Sequence, residues 1–278
     1  MRGGGHRRGS GRLLLPALLA SLLLAALGLA GAWAYRPGEE ASEASPEGGT
    51  ALELDAPAPV ERAFVPGPPR ELGSRRSVSW HAPVRVATAA RARPDPHAPV
   101  VARLDTRTPE GTQNIVLVLD RRTGADAHLW IRVALPALPS GTSGWVLRRA
   151  LAGYGAVRTH LVVDLEAFRA TLLRGGRPLF SAEIGVGRPE WPTPTGRFYV
   201  RNRLTRYASP FYGPVAFGTS ARSSALTDWP AGGFVGIHGT NRPELLPGRV
   251  SHGCIRLRNE DIRELARLMP IGTPITIR

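Results

Sequence analysis

The chain has little of what most proteins use for covalent bracing and for positive charge. A single cysteine, Cys254, stands among 278 residues. No intramolecular disulfide is available to it, and no cysteine-based zinc cage can form. Lysine is absent, so all 36 basic residues are arginine, against 22 acidic residues and a net charge of +14. That balance alone would admit nucleic-acid binding. The arginines, however, are scattered along the chain and are not gathered on one helix face. With 32 Gly and 26 Pro beside them, arginine without lysine reads as the coding habit of a GC-rich genome. Nucleic acid is therefore excluded as a partner, while a cationic surface suits weak, screened adhesion to an anionic cell envelope. So much Gly and Pro also argues against a helix bundle and for turn-rich β structure.

The N-terminus carries an export signature. Arg2, His6, Arg7, Arg8 and Arg12 precede an apolar run, Leu13 to Ala30, interrupted by Pro16 and Ser21. Ala30-Gly31-Ala32 and Ala32-Trp33-Ala34 are candidate cleavage sites. The run lies at the length border between a signal peptide and a membrane anchor. Residues 1–34 are read as one or the other, and both put the remainder outside the cytoplasm, in periplasm or cell wall. No cysteine follows closely, which argues against a lipoprotein. Residues 35–77 are rich in Pro, Gly and Glu with no hydrophobic period, and read as a flexible linker.

Residues 78–153 read as a small β module. Strands are expected at Val84–Val86, Val100–Leu104, Ile115–Leu119, Leu129–Leu135 and Gly144–Leu147, separated by turns such as 136–143. Trp130-Ile131-Arg132-Val133, followed by Ser140-Gly141-Thr142-Ser143-Gly144-Trp145-Val146, resembles the end of a bacterial SH3-like barrel. Wall binding and a purely structural role are both open for it.

Residues 157–278 read as a second, mostly β domain, a sandwich or barrel with one packed helix. Strands are expected at 160–165, 168–173 and 179–186, with a hairpin turn at Arg174-Gly175-Gly176-Arg177-Pro178, and 193–200 reads as a turn and then another strand. The helix begins at Asn259 as N-cap, with Glu260 and Asp261 in the positive first turn. It presents Ile262, Leu265, Ala266, Leu268 and Met269 on one face and stops at Pro270. A closing strand covers Ile275-Thr276-Ile277.

The chemistry converges near the end of this domain. A thiol with a pKa of about 8.5 needs a base or a cation to become a good nucleophile. Cys254 lies two residues after His252 and sixteen after His238. On an extended strand His252 and Cys254 share a face, and a returning loop would bring His238 alongside. Gly253 leaves room for a substrate backbone, and the Gly253 and Cys254 amides are candidate oxyanion donors. Each residue taken singly has a bland reading as well: a buried thiol, or a hydrogen-bonded core histidine. The histidine spacing fits no closed metal site, and no cofactor is expected.

Gly236-Ile237-His238-Gly239-Thr240 with Ser251-His252-Gly253-Cys254-Ile255-Arg256 resembles the signature of the L,D-transpeptidase catalytic domain, the YkuD family. Gly185-Val186-Gly187 and Thr193-Pro194-Thr195-Gly196 resemble that family's early strand and turn. The resemblance implies peptidoglycan tetrapeptide stems as donor and acceptor. It makes Cys254 the nucleophile and His238 the general base. Ser251, His252, Gly253 and Gly239 would shape the site, and Arg256 would orient it or a substrate carboxylate. The product would be a 3→3 crosslink. Water as acceptor would make the protein an L,D-carboxypeptidase, and a protein amine would make it a wall-anchoring enzyme. A non-catalytic envelope-binding protein is the reading from another class.

Overall fold

A computed structural model describes residues 78–207, 209–226 and 233–278. The expected signal or anchor segment and the linker lie outside the described residues. Among the described residues no helix is long and apolar enough to cross a membrane.

The chain is mainly β. Its first sheet contains β1 (Ser79–Pro83), β2 (Thr88–Arg91), β3 (Val100–Leu104), β4 (Ile115–Thr123), β5 (Leu129–Ala134), β6 (Ser143–Leu147) and β7 (Gly155–Val157), in the order β3-β2-β6-β5-β4-β1-β7. All its pairings are antiparallel. Its core gathers Ala82, Val116, Val118, Ile131, Val133 and Val146. The first strand falls earlier than the sequence suggested. Pairing runs Ser79–Pro83, after which the chain peels away: Val84 makes only an isolated bridge to Leu151, and the Arg85 and Val86 amides both donate to the Ala150 carbonyl. Two short strands, β2 and β7, were not visible as apolar runs, and β7 carries the sheet past Gly153 to Val157.

The second sheet contains β8 (Thr159–Asp164), β9 (Arg169–Arg174), β10 (Arg177–Glu183), β11 (Gly185–Gly187), β12 (Gly196–Leu204), β13 (Ala216–Arg222), β14 (Phe234–His238), β15 (Gly248–Ser251), β16 (Ile255–Arg256) and β17 (Pro274–Ile277). Their order is β10-β9-β8-β17-β12-β13-β14-β16-β11-β15. Alternation fixes which side is buried: Leu161 and Val163 on β8, Ala170 and Leu172 on β9, Ile275 and Ile277 on β17. The expected long strand at 179–186 is two strands, with Ile184 between them.

One α-helix, α1 (Asn259–Leu268), packs on this sheet through Ile262, Leu265 and Met269, each almost fully buried. Burial of such side chains stabilises by about 2 kcal/mol each. Its N-cap is Arg258, in extended conformation, and not Asn259. Asn259 is the first helical residue, and its Oδ1 accepts from the Thr240 amide instead. Its carboxamide is engaged with the site loop and does not cap the helix.

Candidate active site

The site depends on one parallel pairing. β14 and β16 run side by side, with Ile237 opposite Ile255 and His238 opposite Arg256. Parallel neighbours need a crossover connection, and residues 239–254 supply it. That crossover is more than a loop: it contains a 3₁₀ turn at Pro243–Leu245 and β15, which pairs in parallel with β11. The register brings β14 against Cys254, so the Gly236 amide donates to Cys254 Sγ at 3.4 Å.

His238 is buried, and its Nδ1 lies 2.6 Å from the Gly239 carbonyl oxygen. A carbonyl accepts only, so Nδ1 carries the proton and Nε2 is the basic nitrogen. Tyr212 packs edge-on against the imidazole, 4.8 Å between centroids. Burial pulls the His238 pKa down to about 4; the Gly239 bond opposes this and the Arg256 charge adds to it. Burial also pushes the Cys254 thiol up, against the pull of the Gly236 amide and Arg256. The resting site therefore holds a neutral thiol and a neutral imidazole at neutral pH, not a preformed ion pair.

The turn before Cys254 corrects two expectations. β15 stops at Ser251, and Gly253 has φ of +107°. His252 and Cys254 are thus not successive outward positions of one strand. His252 packs against Trp191 with the rings tilted, 4.4 Å between centroids. The Gly253 amide donates to Ser251 Oγ at 3.1 Å, so it is already occupied and is not a ready oxyanion donor. Gly253 is required by its backbone conformation, which residues with a Cβ rarely adopt. Around it the turn is tightly tied. Ser251 Oγ donates to the Cys254 carbonyl at 2.6 Å. Thr193 Oγ1 donates to the Gly253 carbonyl and accepts from the Gly187 amide, both at 2.9 Å. Thr193, read in the sequence only as part of a turn, joins β11 to the turn before Cys254.

Gly239 is needed for close approach: a Cβ there would run into Asn259 Oδ1. Arg256 points toward the same centre. Its Nε is buried without a hydrogen-bond partner, and burial lowers its pKa, with Cys254 opposing and the Arg188 charge adding. A cavity of about 320 Å³ is lined by His238, His252, Cys254 and Arg256, together with Tyr212 and Phe234. Tyr212, Phe234 and Trp191 were missed in the sequence, where isolated aromatics carry no motif. Among the described residues no group of three or more His, Cys, Asp or Glu is arranged to hold a metal ion.

Residues 158–277 match the L,D-transpeptidase catalytic domain, YkuD. A Bacillus subtilis protein named as an L,D-transpeptidase, YkuD, is 33% identical over 158 residues, covering 55% of this chain and 89% of that protein. Escherichia coli YbiS, also named as an L,D-transpeptidase, is 38% identical over 87 residues, covering 31% of this chain but only 27% of YbiS. The catalytic domain of an Enterococcus faecium L,D-transpeptidase, solved by NMR, is 29% identical, covering 43% of this chain and 96% of that one, with a TM-score of 0.34. The E. faecium likeness is too low in TM-score to bear on the fold, and the assignment rests on the B. subtilis relative, matched over most of its length. On that ground the chain belongs to the L,D-transpeptidase (YkuD) family, acyltransferase enzymes of peptidoglycan crosslinking.

Proposed function

We propose that Cys254 is the nucleophile and His238 the general base of a two-step acyl transfer that forms 3→3 crosslinks between peptidoglycan stems. The observation that supports this reading is the β14–β16 register: Cys254 Sγ accepts from the Gly236 amide, two residues before His238, and both side chains line one cavity. In the first step His238 Nε2 takes the thiol proton as Sγ attacks the carbonyl of the third residue of a tetrapeptide stem. The C–N bond to the terminal D-alanine breaks, and the imidazolium gives its proton to the leaving amine. A thioester remains. In the second step an amine of another stem attacks the thioester, its proton passes to His238, and the Cys254 thiol is restored.

Because both groups rest neutral, proton transfer accompanies attack, and the thiolate forms only with substrate in place. With the Gly253 amide held by Ser251, the Cys254 amide is the oxyanion donor left from the sequence reading. The unpartnered Arg256 Nε supports a role for Arg256 in receiving a substrate carboxylate. Ser251, His252 and Gly239 shape the site: Ser251 fixes the turn, His252 packs against Trp191, and Gly239 admits Asn259. The apolar run at 13–30 supports an extracytoplasmic location, exported or anchored, and the first sheet would be the SH3-like module. Incubation of the purified protein with a disaccharide-tetrapeptide tests the reading. Mass spectrometry should find a crosslinked dimer with loss of one D-alanine. A tripeptide alone would indicate a carboxypeptidase and overturn the crosslinking assignment.

A further inference from the structure

The first sheet reaches the wall of the cavity that holds Cys254 through an ion pair whose arginine is buried and whose carboxylate is partly buried. A tight loop at 107–113, closed by Thr108 donating to the Thr112 carbonyl, presents Glu110 to the second sheet. Glu110 Oε1 accepts from Arg201 Nη2 at 2.9 Å, and Oε2 accepts from Asn202 Nδ2 at 3.1 Å. Successive strand residues normally face opposite ways. Here the β12–β13 register shifts between Val200 and Asn202, and this bulge lets Arg201 and Asn202 both reach one carboxylate.

The Arg201 side chain is 2% exposed. Its Nε donates to the Thr219 carbonyl at 2.9 Å, and its guanidinium lies 3.8 Å from the ring centroid of Phe234. Phe234 opens β14, the strand that ends at His238, and its side chain lines the cavity with Cys254. A second contact converges on the same ring. Ser140, from the first sheet's β5–β6 connection, exchanges hydrogen bonds with the Arg222 backbone, and the Arg222 guanidinium lies 5.1 Å from the Phe234 centroid.

The geometry points to Glu110 as a positioning residue: by holding Arg201 against Phe234, it sets the shape of the cavity in which the acyl donor meets Cys254. The inference rests on the acyl-transfer reading for what enters the cavity. Glu110 touches no reacting atom. Without its carboxylate the buried guanidinium loses its counter-charge and is drawn toward water, away from the ring. The first sheet thereby acts on the site whether or not it also binds the wall.

Two reactions of the full-length protein test this. Acylation of Cys254 by a carbapenem, read by intact mass, requires a shaped cavity; alkylation by iodoacetamide requires only the thiol. Glu110→Gln should slow acylation about tenfold while alkylation stays within about twofold. Phe234→Leu should slow acylation by itself, and adding Glu110→Gln to it should then change the rate by less than about twofold, since the intermediary is gone. Arg201→Lys, which keeps the charge but loses the planar fork, carries the same test with the same expectation if Glu110→Gln does not fold. The inference is overturned if Glu110→Gln acylates within about twofold of wild type. It is also overturned if both reactions slow equally, or if the Phe234→Leu background leaves the full effect. These rates need no acceptor. A protein that acylates as expected yet never crosslinks stems would overturn the crosslinking reading and leave the role of Glu110 supported.

Discussion

The two sheets follow the same β alternation but differ in where they bury polar groups. In the first, the buried polar side chains among the described residues are Thr108 and Asn114, both at the loop that faces the second sheet. In the second they are numerous: Thr193, Thr219, His238, Thr240 and Ser251, among others, are all nearly inaccessible. Buried polar groups weaken a fold unless each finds a partner, so they persist where geometry has to be fixed. The first sheet is antiparallel throughout, while the second has parallel pairs at β8–β17, β11–β15 and β14–β16. Parallel pairing is what lets residues 16 apart in sequence, His238 and Cys254, line one cavity. The first region contributes apolar packing and one charged contact; the second contributes the chemistry.

That contrast can be broken by substitution. The largest effect should come from His238→Ala, which removes the base and should lower turnover by roughly a thousandfold with the melting temperature little changed, measured as crosslinking rate beside calorimetry. Next, Glu110→Ala should cost about 3 kcal/mol of stability in denaturant titration, because it strands a buried guanidinium. A loss no larger than that of a surface pair would mean that the seam is not tightly closed. Gly253→Ala should cost about 1–3 kcal/mol from its positive φ and should slow Cys254 alkylation by displacing the turn, since space for the methyl itself exists. The smallest effect belongs to Arg242→Ala: its pair with Glu244 is about 60% exposed on both sides and should be worth under about 0.5 kcal/mol.

Acidity separates the regions too. Burial pushes the Glu110 carboxyl up, but the Arg201 charge and bonds from Thr108, its own backbone and Asn202 together hold it below the ordinary range. Its stabilisation is thus present above the usual carboxylate pKa of about 4.3 and is lost as pH falls through the depressed value. At the Cys254 thiol the shift is upward. The alkylation rate of Cys254 should therefore climb about tenfold per pH unit from pH 6 to 8 without levelling. A plateau below pH 7 would reveal a preformed thiolate and contradict the neutral resting pair.

Much of this was legible in the sequence. Strands with strict alternation, such as β8 and β17, and the amphipathic face of α1 follow from periodicity alone. Cys254 and His238 stood out as candidates because a lone thiol beside two histidines and several glycines is a dense signal, and both line one cavity. The path of the chain near Cys254 was not legible. Whether Ser251 to Leu257 stays extended depends on the φ of Gly253, which no periodicity encodes; the strand breaks there, and His252 and Cys254 reach one cavity from a turn instead of from one strand face. Asn259 was read as a cap because its residue type favours that role, whereas a tertiary partner, the Thr240 amide, took its side chain. Arg201 and Asn202 gave no sign of being buried, since a bulge and a counter-charge 91 residues away put them there.

The central claim is that Cys254 carries the acyl group. Wild type and Cys254→Ala, incubated side by side with a disaccharide-tetrapeptide and read by mass spectrometry, test it directly. Wild type should release D-alanine and give a crosslinked dimer through an adduct on Cys254, and the variant should give none of these. A Cys254→Ala protein that still crosslinks the stems would contradict the account.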